Sequence, residues 1–355
     1  MGRTVALVGA LHPGARALAL ALEDDPAVDR VLGLSRHEPP LLGPKFEFVP
    51  AGPGDPRFAE TLAGADALLL FPLVDAADRD EEGRRARVVD ATRLALDAAA
   101  RDATVVLWSS GVVYGAHPDN PVPIPETTEP RPNPDFPAAG VLADSERIAL
   151  AAGVPSMVVL RAAGVWAPAW GTFLSRSLLA PAMVGVRGYD PPLQCLAPAD
   201  AAAALALAAS GRLAGGVYNV APDDWVGSRA AATAAGRRRL EVPERVALAT
   251  AERLWRAGMS AATAGELHYH MHPWVLDNAR LRAAGWVPTH SSAEAFAEAG
   301  RQVPAGVRVG GVQVRRGDVY RGAAAGLALL GAIALARRQA QARRASSRRR
   351  PPSPM

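Results

Sequence analysis

Residues 4–25, TVALVGALHPGARALALALEDD, begin with an uncharged, largely apolar run, turn through Leu-His-Pro-Gly, and continue as an Ala/Leu-rich segment that ends on three acids. A run this short and apolar, closed by a Pro-Gly turn, reads as a buried strand, and the segment after it as a helix. The alternation then repeats along the chain. Strand-like runs follow at VDRVLGLSR (28–36), FEFVPAG (46–52), ADALLLFPLV (65–74), ATVVLWSS (103–110), VPSMVVLRAAGVW (154–166) and GVYNVAP (216–222), with helical stretches such as 81–102 between them. Strands separated by helices imply parallel pairing with helices on both faces. The expected fold class is α/β, a doubly wound, Rossmann-like parallel sheet.

The interruptions set the organisation. AHPDNPVPIPETTEPRPNPDFP (116–137) holds eight prolines, which exclude a long helix or a central strand and predict an irregular surface loop crossing one edge. A first domain is expected over 1–300, with its core in 1–165 and 196–222 and a smaller substrate-type lobe in about 166–195 and 223–290. An apolar helix and basic tail are expected over 301–355. That tail holds 12 arginines and one acid, Asp318, so it carries +11 of a net charge of +4 and leaves −7 for the first 300 residues. The single cysteine, Cys195, excludes an intramolecular disulfide and points to a reducing compartment. No signal peptide is read at the N-terminus.

Five stretches, in order, resemble the extended short-chain dehydrogenases, the NAD-dependent epimerase/dehydratase family. They are VALVG turning into ARALALAL; VVLWSSGVVYG (105–115); VVLRAAGVWAP (158–168); GVYNVAP; and LDNARLRAAGWVP (276–288), similar to that family's Asp-to-Gly-Trp-x-Pro signature. Each is weak alone; together they cover roughly residues 3–295. The resemblance implies a dinucleotide seated at the first helix on a Gly-x-x-Gly-x-x-Gly loop. Here those positions read Gly9, His12 and Ala15, with Gly14 out of register and Pro13 removing an amide. Gly14 could still present amides in a rearranged loop, and His12 could cover an empty phosphate site. After the second strand, Ser35, Arg36 and His37 replace the acid expected for NAD, which favours NADP; a merely solvated Arg36 is the competing reading. Gly52 stands near the place of the adenine-contacting Asp, with Asp55 a few residues late, and Leu70 and Pro72 replace the fourth strand's His-x-Ala.

The same resemblance implies a catalytic Ser at Ser110, beside Ser109, and a Tyr-x-x-x-Lys pair opening the helix after the proline-rich loop. In NPDFPAAGVLADSERIAL (133–150) the Tyr falls on Ala138 and the Lys on Leu142. The only lysine is Lys45, and residues 116–188 contain no tyrosine, so no shifted pair exists. Tyr114 is expected to pack rather than to donate a proton. Asp135, Asp144, Glu146 and His117 are the remaining conceivable donors. One lost donor is worth about 10²–10⁴-fold in rate; several losses together imply an impaired reaction. The leading expectation is therefore a nucleotide-binding or scaffold protein with weak or no NADP or NAD. The alternative is an active NADP-dependent oxidoreductase or epimerase with a replaced donor.

Other features narrow the partners. His268, His270 and His272 alternate, which would align three imidazoles on a strand; a structural connection is the stronger reading, and no metal is expected. No Gly-x-Ser-x-Gly elbow, Walker loop or zinc pattern occurs. GAAAGLALLGAIALA (322–336) would run about 22 Å as a helix, short of a bilayer span. With three arginines before it and seven after, it fits an in-plane helix on an anionic surface, or a helix packed on the body with a basic tail beyond. A cytoplasmic protein is expected, with peripheral contact at the inner membrane face through the tail and no nucleic acid, since no aromatics interleave the arginines. The resemblance allows a homodimer.

Overall fold

Strand β1 (Arg3–Val8) lies in the interior of the sheet, with Val5, Ala6 and Leu7 at most 1% exposed. In chain order it is followed by α1 (Pro13–Leu22), β2 (Val28–Ser35), β3 (Phe46–Pro50), α2 (Pro56–Ala63), β4 (Ala67–Leu70), α3 (Glu81–Ala98), β5 (Thr104–Ser110), α4 (Pro137–Ala151) and β6 (Met157–Ala162). The chain continues through α5 (Phe173–Leu179), β7 (Met183–Val186), β8 (Pro192–Leu193), α6 (Pro198–Ala209), β9 (Gly216–Val220), β10 (Val226–Gly227), α7 (Ser228–Ala234), β11 (Arg239–Val242), α8 (Glu244–Arg256), α9 (Ala279–Ala283) and α10 (Ser292–Arg301). This computed structural model describes residues 2–304 except 41, 73–79, 181, 259 and 261, together with 306–309 and 312–315.

Seven strands pair in parallel in the order β3-β2-β1-β4-β5-β6-β9. Helices α1 and α6 pack together, as do α3 with α2 and α4, so the sheet is covered in two layers. The core between the sheet and α2, α3 and α4 is apolar, built from residues such as Leu34, Phe58, Leu62, Leu68, Leu107 and Val159. The doubly wound sheet expected from the alternation is the one observed. Two short pairs, β8 with β10 and β7 with β11, lie outside it.

Three expectations change in detail. The strand expected over 154–166 ends at Ala162, because from Ala163 onward the apolar residues fill the interior around Trp166 instead of a ladder. The proline-rich segment is irregular, but it is anchored. Ile124 is fully buried, its N–H donates to the Val275 carbonyl at 2.8 Å, and its own carbonyl accepts from Asp277 N–H at 2.9 Å. The histidine run forms a 3₁₀ turn, Ala264–His270, so His270 is buried while His268 and His272 face outward together.

Met1–Gln302 is one unit and Val303–Met355 another. In the second, β12 (Gly306–Val309) pairs antiparallel with β13 (Val312–Arg315). The apolar stretch 322–336 and the arginines beyond it lie outside the described residues. Among the described residues no helix is long and apolar enough to cross a membrane.

Candidate functional site

In an open parallel sheet the ligand crevice lies beyond the carboxyl ends of the strands, where the strand order reverses. Here that point is between β1 and β4. Gly9 leaves β1 at φ +86°, and a Cβ there would sit 2.6 Å from the Phe71 carbonyl oxygen. Its glycine is therefore required by the approach of the chain leaving β4, with no ligand invoked. The amides that would cradle a phosphate are engaged: Gly9 and Ala10 N–H both donate to Leu34 O at 3.2 Å, and His12 N–H to Gly9 O at 2.8 Å. Gly14 N–H donates to His12 Nδ1 at 3.0 Å, so the imidazole caps α1.

That cap depends on protonation. Burial pushes the His12 pKa down to about 4, so the ring is neutral at physiological pH, with Nδ1 accepting and the proton on Nε2. The ring stacks on Phe71 with centroids 5.3 Å apart and meets the edge of Trp170 at 5.9 Å; Trp170 lies 6.2 Å from Trp108. A continuous row of rings thus runs across the crevice from the end of β1 to β5. This loop, as arranged, does not fit a pyrophosphate: the Gly9, Ala10, His12 and Gly14 amides are engaged internally, Pro13 has none, and an imidazole occupies the helix end where an anion would sit. At the far end, Ser35 Oγ donates to the His37 carbonyl, and exposed Arg36 lies across Gly52, 3.4 Å from where a Cβ would be.

The positions that the family resemblance marks as catalytic are engaged as well. Ser110 Oγ donates to Ala162 O at 3.4 Å and accepts from Val112 N–H at 3.4 Å, capping the 3₁₀ turn Gly111–Tyr114. Ala138 and Leu142 lie on the first two turns of α4, and one turn further Glu146 is buried. Glu146 accepts from Ser109 Oγ and binds Arg161 on β6 through Nη2 at 2.7 Å and Nε at 2.9 Å. Arg161 Nη1 donates to Tyr114 Oη at 2.8 Å, which donates to Asn219 Oδ1 at 3.0 Å. Burial raises the Tyr114 phenol, with Arg161 opposing. Tyr114 is thus held inside a buried network. Asp144 pairs with Arg85 at 2.6 Å, and His117 Nε2 meets the Arg131 carbonyl at 2.8 Å. Asp135 pairs with His268 Nε2 at 3.1 Å just ahead of α4.

Ahead of α4, aromatic rings pack on one another. Phe136, Phe173 and Tyr269 pack mutually at 5.3–5.4 Å, and Trp274 meets Tyr269 at 5.2 Å. Tyr269 Oη donates to Val112 O at 2.7 Å, two residues from Ser110. Next to them is a pair that the sequence reading missed: buried Glu266 with Arg176 at 2.9 Å. Burial pushes the Glu266 carboxyl up to about 7, against the pull of Arg176. The two are 90 positions apart, so no local pattern signals them. Phe71 and Trp170 were also missed, although Leu70 and Pro72 on either side of Phe71 marked a departure at the end of the fourth strand. Among the described residues no group of three or more His, Cys, Asp or Glu could hold a metal. His270, the middle imidazole, is buried, with its pKa lowered to about 4 by burial and by Arg239.

The comparisons with known proteins agree with this architecture. A short-chain dehydrogenase/reductase superfamily protein from Agrobacterium tumefaciens with bound NAD matches with a TM-score of 0.63 at 18% identity, over 84% of this chain and 96% of that one. The fold is that of the extended short-chain dehydrogenases. A dTDP-glucose 4,6-dehydratase from Streptomyces venezuelae with NAD bound matches with a TM-score of 0.64 at 19% identity, over 84% and 96% of the two chains. A UDP-glucuronic acid 4-epimerase from Bacillus cereus in complex with NAD gives 0.62 at 13%, again over 84% and 96%. By sequence, uncharacterized proteins of Mycobacterium tuberculosis and Mycobacterium bovis are 28% identical over 297 residues, covering 79% of this chain and 78% of theirs. No protein-family model matches the chain.

Proposed function

We propose that this chain keeps the short-chain dehydrogenase fold as a binding or scaffold protein and no longer performs hydride transfer. The observation that carries this reading is the row His12, Phe71, Trp170 and Trp108 across the crevice, with His12 bonded to the Gly14 amide. Missing catalytic residues alone would slow a reaction; a helix end capped by the protein's own imidazole removes the seat of the cofactor. Ala138 and Leu142 support the reading, because neither can move a proton. The solved structures of this fold carry NAD, and the nucleotide class of any residual ligand is inherited from that likeness, with Arg36 favouring the 2′-phosphate form.

Titration of the full chain with NADH and NADPH, followed by nicotinamide fluorescence and calorimetry, tests this. No saturable binding at millimolar cofactor is expected. Micromolar binding accompanied by turnover of a hydroxyl or keto compound, lost in Ser110→Ala, refutes it. That outcome would favour the second reading, an active enzyme with a replaced donor, for which the Asp135–His268 pair ahead of α4 is the specific support. The basic C-terminal segment is proposed to contact an anionic membrane surface; pelleting with anionic liposomes should fall when residues 319–355 are removed, and equal pelleting refutes it.

A further inference from the structure

Helix α1 carries two stripes. Ala15, Leu18, Ala19 and Leu22 are buried against the sheet, whereas Pro13, Arg16, Ala17 and Leu20, at the same i, i+3, i+4, i+7 spacing, face away from it. The second stripe forms one wall of a cleft of about 470 Å³; the other walls come from Pro39, Pro40 and Leu42 after β2 and from Ala169 and Trp170. That size lies within the range of about 300–1,000 Å³ typical of small-molecule sites. Leu20 is 51% exposed and Leu11, also at the cleft, 43%, so both present apolar surface along it.

Arg16 is the only charged residue lining this cleft among the described residues, and no ion pair or side-chain hydrogen bond engages it there. The first turn of α1 contains no acid to balance it, and a cation near a helix N-terminus is opposed by the helix dipole. An apolar trough with one unpartnered guanidinium is complementary to a molecule with one anionic head and an aliphatic body. It is unlike a dinucleotide site, which needs bare amides for two phosphates.

We infer that the cleft between α1 and Pro39, Pro40 and Leu42 binds a fatty-acid-like carboxylate, its head on Arg16 and its chain along Leu20, Leu42 and Trp170. The cleft adjoins the crevice and shares Trp170 and the loop residues Ala10, Leu11 and Pro13 with it, so the inference rests on the reading that no dinucleotide is seated there; the NADH and NADPH titrations test that reading, and the titrations that follow test this one. Decanoate, decanol and acetate are titrated separately, at concentrations below micelle formation, against the full chain and against Arg16→Gln and Ala17→Trp, by calorimetry and ligand-observed NMR. Decanoate should bind with one site and tighter than decanol, and acetate should not bind measurably. Arg16→Gln should weaken decanoate about tenfold or more, the worth of a charged hydrogen bond, and leave decanol unchanged. Ala17→Trp, which fills the trough, should abolish both. Arg16 and Ala17 face the cleft, so unchanged thermal unfolding is expected for both variants. Absence of decanoate binding, equal affinity for decanol, or binding that survives Ala17→Trp would overturn the proposal, the last by placing the ligand elsewhere, such as on the basic tail.

Discussion

His12→Ala removes a cap, two ring contacts and a titratable group at once, and these separate by pH. At pH 7.5 the loss is the acceptor of the Gly14 amide, about 1 kcal/mol for a helix cap. The packing on Phe71 and Trp170 adds about 1–2 kcal/mol. The variant should therefore be about 2–3 kcal/mol less stable. The folded His12 pKa, about 4, lies below the ordinary 6.5, so the stability it contributes is present above 6.5 and is lost as pH falls toward 4. At pH 5 the wild type has lost about 2 kcal/mol from this group, at 1.36 kcal/mol per unit, and the alanine variant has lost none. His270 carries a similar depression, but it is present in both proteins and cancels. Urea denaturation at the two pH values should show the gap closing to about 0–1 kcal/mol at pH 5. A gap that stays constant would mean that His12 is not a neutral, buried cap, and the argument against a phosphate at this helix end would fail with it.

Glu146→Leu should cost about 3–5 kcal/mol by stranding the Arg161 charge, and the pair Glu146→Leu with Arg161→Met should recover most of it, read from urea midpoints. Equal losses in single and double variants would place the network's value elsewhere. Gly9→Ala should destabilise by about 2 kcal/mol or more with no cofactor present, because φ is +86° and the new methyl meets the Phe71 carbonyl. A neutral outcome in thermal unfolding would return Gly9 to a ligand role. The Glu266 carboxyl, raised to about 7, favours the protonated fold, so its contribution is complete below the ordinary 4.5 and is lost as pH rises through 7. Glu266→Gln should thus gain on the wild type by up to about 3 kcal/mol between pH 4.5 and 8. No pH-dependent gain would show that Arg176 keeps the carboxyl ionised.

The gap in NPDFPAAGVLADSERIAL was legible because a helix register is local: once α4 begins at Pro137, Ala138, Leu142 and Glu146 must share a face. Gly9, His12 and Gly14 were also legible as a loop, but their meaning was not. Gly9 answers to Phe71, some 60 positions away, and His12 to Gly14 on one side and Trp170 on the other. The Glu266–Arg176 pair left no trace in either of its two local segments.

The sequence by itself determined the doubly wound sheet and the absence of the Tyr and Lys pair, because periodicity and residue identity are properties of neighbours along the chain. Only the tertiary structure decided that the crevice is filled by His12, Phe71, Trp170 and Trp108, that Tyr114 is spent on Arg161, and that Arg16 faces an open apolar cleft. Those outcomes depend on which side chains from distant segments compete for the same space and the same hydrogen bonds, and that competition exists only once β1, β4, β5 and the turn at Trp170 have been brought to one edge.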